Sequence, residues 1–286
     1  MWREGLLTDA IIHLGDSVVQ HGRHNDRVYL MSLSSSDFDP IHLVLEAMES
    51  LASENSYSKI FCKIPSFLKG DFLSGGYVEE AHIPGFFGGS EEASFMCRYF
   101  SQSRMHDESS GENCKVLELA LERQDNKKEA RLPGNSGCGI CTPADVGEMA
   151  GVFREVFPTY PFPVFDPEYL LQTMSEGFVY FCIRTEGRIV ALSSCEMDTE
   201  NMTVEMTDFA TLPAYRGRGY SHFLLNEMER EMLRRDMRVA YTIARARSYG
   251  MNIVFSSNSY RYAGTLVNNT NISGGFESMN VWHKKL

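Results

Sequence analysis

The stretch LPAYRGRGYSHFLL, residues 212–225, interrupts apolar sequence with two glycines and two arginines. The segment before it, MTVEMTDFATL, predicts a β-strand. After it, Leu224, Leu225, Met228 and Met232 recur on one face of a predicted helix. A strand, a loop with glycines and the first turn of a helix present unpaired backbone N–H groups to an anion. The stretch therefore predicts a loop that binds a small phosphate-bearing ligand.

The glycines and arginines of this loop have complementary roles in the prediction. Gly217 and Gly219 permit positive φ and close approach of the backbone, while Arg216 and Arg218 add charge that can pair with phosphate oxygens. The expected ligand is a diphosphate. The pattern is neither a G-x-G-x-x-G after a first strand nor a P-loop, which disfavours dinucleotide and ATP binding. Glycines that only cap the helix are the alternative.

Composition and charge limit the classes of partner. Of the 286 residues, 43% are hydrophobic, enough for a globular chain, and the formal net charge is -11 at pH 7. Binding to nucleic acid or anionic membranes scales with cations that neutralise phosphates, so the acidic balance opposes both. Asp9, His13 and Asp16 break the apolar start, and no later segment reaches membrane-spanning length. We expect a cytoplasmic protein with neither kind of partner.

The cysteines predict neither a disulfide framework nor a metal site. Their number is seven, an odd count, and most are dispersed in apolar runs. Cys138 and Cys141 form one C-x-x-C, but a structural zinc site needs a second pair of ligands. His21 and His24 have metal-like spacing, yet only Asp26 is near as a third ligand, so a structural role is expected. The predicted metal content is none.

The distribution of polar residues divides the chain into three parts. We predict an N-terminal α+β domain over residues 1–100, a polar linker with one helix over 101–138, and a second domain over 139–286. The N-terminal part repeats the strand, helix and hairpin order of residues 239–286. An internal duplication in which one copy lost its ligand loop explains this order, and so does the frequent recurrence of these elements in α+β domains.

The loop resembles the acetyl-CoA pyrophosphate loop of the GNAT acetyltransferase superfamily. Its pattern R-x-x-G-x-[G/A] is matched by Arg216 and Gly219, with Ser221 in the last position as a departure to another small residue. The resemblance covers about residues 136–286. It implies an α/β (α+β) fold in which a C-terminal GNAT mixed sheet, flanked by helices, follows a smaller GNAT-like N-terminal domain.

A longer resemblance is to the β-lysine N-acetyltransferase family, a two-domain GNAT family. The segments EMTDFATLPAYRGRG, YTIARARSYGMN, NNTNISGGFESMNVW, YPFPVFDPEYL and QHGRHNDRVYLM carry it and span nearly the whole chain. This resemblance implies transfer of an acetyl group from acetyl-CoA to the ε-amine of β-lysine. The product is Nε-acetyl-β-lysine, an osmoprotectant.

The GNAT resemblance also implies which residues bind acetyl-CoA. In this superfamily the strand before the loop separates from its neighbour, and its backbone holds the pantetheine arm. Asn252, on a later predicted helix, is a further candidate for the cofactor or the substrate amide. The strand and loop candidates are Phe209, Ala210, Thr211, Arg216, Gly217, Arg218, Gly219, Tyr220 and Ser221.

Acetyl transfer to an ammonium group needs a proton acceptor and a donor for the leaving thiolate. Glu205 and Asp208 lie on the strand before the loop, and a spacing of three predicts opposite faces, so only one of them would face the substrate. Glu205 is the first candidate for the base. Phe255 occupies the position where many GNAT enzymes have a tyrosine acid, so Tyr260 is the expected substitute, with Tyr249 or Tyr262 as alternatives.

Two arginines complete the predicted site. Arg245 and Arg247 follow a buried strand near the expected pocket and match the carboxylate of β-lysine, although surface ion pairs are the alternative. The expected partner is a small-molecule amine, and a homodimer is left open. Because Phe255 cannot donate a proton, a non-catalytic acyl-CoA-binding module is the main competing function. An acetyltransferase for another amine or for protein lysine is the second competitor.

Overall fold

The computed structural model describes residues 9–127 and 131–286, and its elements alternate between strands and helices. In the first part of the chain, two three-strand runs flank one long helix. The elements of this N-terminal half are β1 Ala10–Leu14, β2 Ser17–Gly22, β3 Arg27–Ser32, α1 Ile41–Asn55, β4 Lys59–Pro65, α2 Lys69–Ser74, β5 Val78–Phe87 and β6 Glu91–Tyr99.

The rest of the chain begins with two connector helices and continues with the longer C-terminal half. The connector helices are α3 Gln102–Met105 and α4 Ser110–Leu121. The C-terminal half contains β7 Ser136–Ile140, α5 Val146–Val156, α6 Pro167–Ser175, β8 Val179–Thr185, β9 Arg188–Asp198, β10 Thr203–Thr211, α7 Tyr220–Arg234, β11 Val239–Arg245, α8 Tyr249–Ser257, β12 Arg261–Ile272 and β13 Gly275–Lys285.

Several local predictions are confirmed by these elements. The turn TEGR joins β8 to β9 as a hairpin, with Glu186 and Gly187 at positive φ as a two-residue turn requires. The polar linker carries a helix, α4, which docks on α8 through the hydroxyl of Ser256, 2.5 Å from the carbonyl oxygen of Ala120. The α/β class of the chain is also confirmed, because helices flank a mixed sheet.

All the strands belong to one sheet of thirteen, in the order β1-β2-β3-β4-β6-β5-β12-β13-β11-β10-β9-β8-β7. Each of the first six strands in this order has a counterpart at the same distance on the other side of the central pair β5 and β12. The edge strand β7 has no counterpart among the described strands. In each half, one strand pair is parallel and encloses a crossover helix: β3 with β4 around α1, and β10 with β11 around α7. The two halves therefore share one topology, as an internal duplication predicts.

The two halves meet at a narrow junction between β5 and β12. Gly264 is paired with Ala81, and a Cβ added to Gly264 would overlap the carbonyl oxygen of Glu80 and lie 2.6 Å from the Cα of Ala81. Its φ of +150° is also unfavourable for other residues. Beside it, buried Lys59 donates to the carboxylate of Glu80 at 3.2 Å and to the carbonyl of Val267 at 2.7 Å. Backbone contact and a buried ion pair together fix the junction.

Three apolar clusters form the core, and one of them joins the halves. The first packs the helices of the C-terminal half on its strands, and the second packs α1 and α2 on the N-terminal strands. The third combines Tyr29, Phe61 and Phe95 from the N-terminal half with Tyr241 and Val281 from the C-terminal half. This third cluster is therefore an interior that both halves share. No helix among the described residues combines the length and the apolar character needed to cross a membrane.

We expect Gly264→Ala to destabilise the protein by about 2 kcal/mol or more, because backbone atoms of β5 must move and φ is unfavourable. Urea unfolding monitored by circular dichroism measures this loss. Gly275→Ala in the neighbouring strand is the matched control, since its added Cβ meets nothing within 4 Å. Equal stability of the two variants would contradict the role assigned to the junction.

Candidate active site

The strands β10 and β11 run together for only three residue pairs. Their parallel pairing starts at Thr203 opposite Val239 and ends at Glu205 opposite Tyr241. Both strands continue, since β9 still pairs with β10 as far as Thr211 and β13 still pairs with β11. The gap that opens between them, here called the inter-strand groove, is lined by Phe209, Ile243, Ala244, Arg245, Met251, Phe255 and Met279, among others.

A bulge in β10 determines where its polar side chains point. Thr207 is opposite Ser194 and Ala210 is opposite Leu192, so two residues of β10 face one residue of β9. Asp208, inside the bulge, has φ of 54°. The usual alternation is therefore broken, and Asp208 lies on the same side as Glu205 and Thr207. The prediction that Glu205 and Asp208 point to opposite faces was wrong.

The loop after β10 has the geometry predicted for an anion site. A short 3-10 turn, Pro213–Tyr215, follows the strand, and Gly217 and Gly219 both have φ of 77°. Gly219 is the N-cap of α7, whose first turn leaves backbone N–H groups available to a ligand. Tyr220 is buried in the core, so it contributes only its main chain to this surface. The loop lies beyond the end of β10, at the end of the inter-strand groove.

The loop arginines are exposed, and each donates a hydrogen bond to a main-chain carbonyl close to it in the sequence. The guanidinium of Arg216 donates to the carbonyl of Thr211 at 3.2 Å, and that of Arg218 donates to the carbonyl of Ala214 at 3.1 Å. Arg218 also lies over the ring of Tyr215, 4.8 Å from its centroid. Both cations are therefore held beside the loop without a carboxylate partner among the described residues. This charge arrangement fits a pyrophosphate group.

A second cavity of about 490 Å³, here called the acidic cavity, adjoins the inter-strand groove. Tyr160, Thr207, Asp208, Ile243, Ile272 and Met279 line both. Three carboxylates, those of Glu196, Glu205 and Asp208, face the interior of this cavity, and the exposed Glu176 lies at its rim. Its other walls are largely aromatic and come from both halves of the protein: Tyr29 and Phe61 from the N-terminal half, and Phe162, Tyr169 and Phe178 from the C-terminal half.

Burial changes the acidity of all three carboxylates. It raises the pKa of Glu196 to about 7, with a further contribution from the charge of Glu205. Burial also raises the pKa of Glu205, although the charge of Lys63 and a hydrogen bond from Tyr241 act in the opposite direction. The pKa of Asp208 is raised by burial and lowered by hydrogen bonds from Ser194 and Tyr160. The cavity therefore holds carboxylates whose pKa values lie nearer neutrality than usual.

Tyr160 was not identified from the sequence, although it is central to the site. Its hydroxyl donates to the carboxylate of Asp208 at 2.5 Å, and Ser194 donates to the other oxygen at 2.5 Å. Burial and the nearby Asp208 hold the pKa of Tyr160 well above its usual range, so the hydroxyl keeps its proton. The available signal was its place in YPFPVFDP, where the prolines disfavour a helix and favour an extended backbone.

Two of the predicted residues are structural. Tyr260 is fully buried against Phe255 and Lys284, outside both cavities, so its proposed role as the proton donor was wrong. The amide nitrogen of Asn252 donates to the carbonyls of Arg245 and Ser248, and its oxygen accepts from Asn280 and Trp282, all between 2.8 and 3.0 Å. Asn252 is fully buried, and its side chain has no capacity left for a cofactor.

The two predicted carboxylate-binding arginines also have other partners. Arg245 lines the inter-strand groove but forms a two-bond ion pair with Glu277, at 2.9 and 2.6 Å. Arg247 is exposed in a separate surface depression, where it bonds to the hydroxyl of Ser109. The structure therefore shows the alternative to carboxylate binding: Arg245 forms an ion pair and Arg247 a surface contact. Neither arginine lies in the acidic cavity. Phe255 does line the groove, in edge contact with Phe209 at 5.6 Å.

Metal-ligating side chains do not converge in the described part of the chain: no group of three or more His, Cys, Asp or Glu residues could hold an ion there. The seven cysteines, all in described segments, have free thiols. His21 contacts the hydroxyl of Tyr57 at 3.1 Å, and the main chain of His24 bonds to Asp9 and Asn271. These histidines therefore act in local structure.

Comparison with known proteins agrees with this geometry. The model of the acetyltransferase (GNAT) family matches residues 148–250. The β-lysine N(6)-acetyltransferase of Methanococcus maripaludis is 40% identical over 96% of this chain and 98% of its own length. That of Methanosarcina mazei is 33% identical over 84% of this chain and 96% of its own. N-acetyltransferase YodP of Bacillus subtilis is 30% identical over 94% of this chain and 96% of its own length.

Solved structures also resemble part of the chain. The ribosomal-protein-alanine N-acetyltransferase of Brucella melitensis has a TM-score of 0.47 at 18% identity, covering 52% of this chain and 99% of its own. A GNAT superfamily phosphinothricin acetyltransferase of Sinorhizobium meliloti, in complex with acetyl-CoA, has a TM-score of 0.48 at 15% identity. The match covers 53% of this chain and 89% of that one.

The open β10–β11 pair, the glycine loop at the start of α7 and the matching family model define an N-acetyltransferase of the GNAT superfamily. The match to the curated relatives extends over both halves and is not limited to the part that the family model covers. The chain belongs to the β-lysine N-acetyltransferase family.

We expect Asn252→Ala to lower the free energy of unfolding by about 3 kcal/mol, because the side chains of Asn280 and Trp282 lose a buried acceptor. The same variant should bind acetyl-CoA with unchanged affinity, measured by calorimetry on the folded fraction. Tyr249→Ala, at an exposed position of the same helix, is the control for stability. Weaker cofactor binding at unchanged stability would restore Asn252 as a cofactor ligand.

Proposed function

We propose that the protein transfers the acetyl group of acetyl-CoA to the ε-amine of β-lysine, giving Nε-acetyl-β-lysine for use as an osmoprotectant. The proposal is supported by the substrate in the names of the two curated relatives and by one observation in the structure. That observation is the meeting of the inter-strand groove and the acidic cavity at Thr207 and Asp208. A thioester in the groove and an amine in the cavity would face each other there.

The groove and the loop fit acetyl-CoA in three respects. Positive φ at Gly217 and Gly219 clears space for a pyrophosphate, and the exposed Arg216 and Arg218 supply cations. The pairing of β10 with β11 ends at Glu205, so backbone groups of Phe209 to Thr211 on that side can bond to a pantetheine arm. When bound, acetyl-CoA supplies the activated acyl group as a thioester.

We assign Glu205 as the proton acceptor and Asp208 as the residue that orients the amine. A carboxylate with a pKa raised by burial is better matched to accept a proton from an ammonium group than one in water. Asp208 accepts two hydrogen bonds at the junction, which fix its position and oppose part of the rise in pKa that burial causes. The ammonium first passes one proton to Glu205, and the free amine nitrogen then bonds to the thioester carbonyl carbon.

We assign the proton for the departing thiolate to Tyr160. As the C–S bond breaks, the nitrogen gives its second proton to Asp208, the sulfur takes one proton from Tyr160, and Asp208 returns a proton to the Tyr160 oxygen through their hydrogen bond. Tyr160 lines both the groove and the cavity and keeps its proton at neutral pH. It thus takes the place of the tyrosine that Phe255 replaces. This arrangement supports turnover over the alternative of a non-catalytic acyl-CoA-binding module.

The direct test is mass spectrometry of products formed from acetyl-CoA with β-lysine, α-lysine, ornithine, putrescine, polyamines and a lysine peptide. We expect β-lysine to be acetylated with a clear preference over α-lysine. Gly219→Glu is the control for the cofactor loop, because a carboxylate beside the pyrophosphate position should abolish acetyl-CoA binding and all products. Acetyl-CoA binding without any product would favour the binding module, and acetylation of the peptide alone would favour a protein substrate.

We expect kcat/KM for β-lysine to rise with pH through an apparent pKa near 7, because Glu196 and its neighbours attract and deprotonate the ammonium only when ionised. Glu205→Gln should lower kcat/KM by about 10² to 10⁴-fold. In the activity that remains, the rise of kcat/KM with pH should occur at lower pH. The reason is that the charge of Glu205 raises the pKa of Glu196.

Glu176→Gln, at the rim of the same cavity, is the matched control and should leave the profile unchanged. If Asp208→Asn removes activity while Glu205→Gln retains it, the roles of the two carboxylates are reversed.

A further inference from the structure

We propose that Arg27, from the N-terminal half, binds the carboxylate of the amino-acid substrate in the acidic cavity. The inference rests on the proposed function for the identity of the amine. It assigns to the N-terminal half the recognition of the group that distinguishes an amino acid from a plain diamine.

The position of Arg27 follows from the alternation of β3. Arg27, Tyr29 and Met31 occupy alternate positions of this strand, so they share one face, and all three line the acidic cavity. Arg27 is 4% exposed, and its guanidinium lies over the rings of Tyr29 and Phe61, 5.1 and 5.8 Å from their centroids. The stacked rings of Tyr29 and Phe61 hold the planar guanidinium group in one orientation.

The hydrogen bonds of Arg27 leave part of its guanidinium group without an acceptor. One terminal nitrogen donates to the carbonyl of Asn269 at 2.6 Å and to the hydroxyl of Thr270 at 3.4 Å. The buried Nε has no hydrogen-bond partner, and no ion pair joins Arg27 to a carboxylate within residues 9–127 and 131–286. A buried cation without an anion is costly, so such a group indicates an anion that arrives with a ligand.

Other arginines near this interior already have anionic partners. Arg245 is paired with Glu277 by two hydrogen bonds, and Arg104 lies 3.6 Å from Asp26. Both are therefore structural. Arg104 is also buried with an unpaired Nε, so Arg27 differs from it in having no ion pair with a described carboxylate and in lying in the wall of the acidic cavity.

A second unpaired atom lies on β12, at Asn269. The side-chain oxygen of Asn269 is buried without a hydrogen-bond partner, and Asn269 lines the same cavity. Its main-chain carbonyl is the one that binds Arg27. A donor for a carboxylate and an acceptor for an ammonium therefore lie side by side, which matches a carboxylate and an amine on adjacent carbons of a β-amino acid head group.

The charges in the cavity are complementary to a whole diamino acid. The carboxylates of Glu205 and Asp208, in the C-terminal half, face the ammonium that is to be acetylated. Arg27, in the N-terminal half, supplies the cation for the opposite end of the substrate. A diamine without a carboxylate would leave this cation unpaired, so the site selects against it.

The test compares β-lysine with 1,4-diaminopentane, which has the same chain without the carboxyl group. Calorimetry and steady-state kinetics are carried out on the full-length protein with acetyl-CoA or CoA present. In Arg27→Met we expect KM and Kd for β-lysine to rise by about thirtyfold or more, as for loss of one partner of a buried charge pair. Those for 1,4-diaminopentane should stay within about twofold.

Arg23→Met, which changes an exposed arginine of the same segment, is the matched control and should affect neither ligand. Arg27→Lys keeps the charge but loses the fork, so an intermediate loss confined to β-lysine is expected, and this variant serves if Arg27→Met does not fold. Equal losses for both ligands, or equal binding of both to the unchanged protein, would overturn the inference.

This experiment separates the inference from the proposed function. If an amine other than β-lysine is the substrate, the proposed function fails. The role of Arg27 is still tested by comparing KM and Kd for that substrate with those for the same molecule without its carboxyl group. If the preferred substrate has no carboxylate, the inference fails while acetyl transfer stands.

Discussion

The end of the β10–β11 pairing at Glu205 is the constraint on which the rest of the site depends. Each strand remains bonded on its other side, β10 to β9 and β11 to β13, so the gap is held open by the sheet itself. Backbone groups that face the gap lack strand partners and are available to a ligand. The bulge at Asp208 adds a carboxylate to the same opening, and the glycine loop provides the anion site at its far end.

The two halves use one topology for different purposes. In the C-terminal half, the parallel pair and its crossover helix carry the loop with Gly217 and Gly219. In the N-terminal half, the corresponding segment between β3 and α1 contains SLSSSDFDP and has neither glycine nor arginine. The face of β3 instead carries Arg27 and Tyr29 into the shared interior. The N-terminal half therefore forms one wall of the acidic cavity.

Local features of this protein could be predicted from the sequence, and contacts between distant segments could not. The loop, the hairpin at Glu186 and the helix in the linker depend on neighbouring residues, and each is found in the structure. The bulge at Asp208 depends on its register with β9, which strand periodicity does not contain. Asn252 and Arg245 were misassigned because their partners lie on β13, about thirty residues away along the chain. Arg27 meets Asn269 from the far end of the chain.

The acidic cavity also explains how one set of groups can both attract and deprotonate the amine. Burial raises the pKa values of Glu196, Glu205 and Asp208, and the charge of Asp208 raises those of Glu196 and Glu205 further. An ammonium entering the cavity relieves that repulsion and is attracted most strongly when the carboxylates are ionised. The raised pKa of Glu205 then makes it a better acceptor for the proton that the amine must lose before it can attack. Since Arg27 lines the same cavity from the N-terminal half and forms no ion pair with these acids, we infer that the carboxylate of the substrate and its reacting amine are recognised by separate groups of opposite charge.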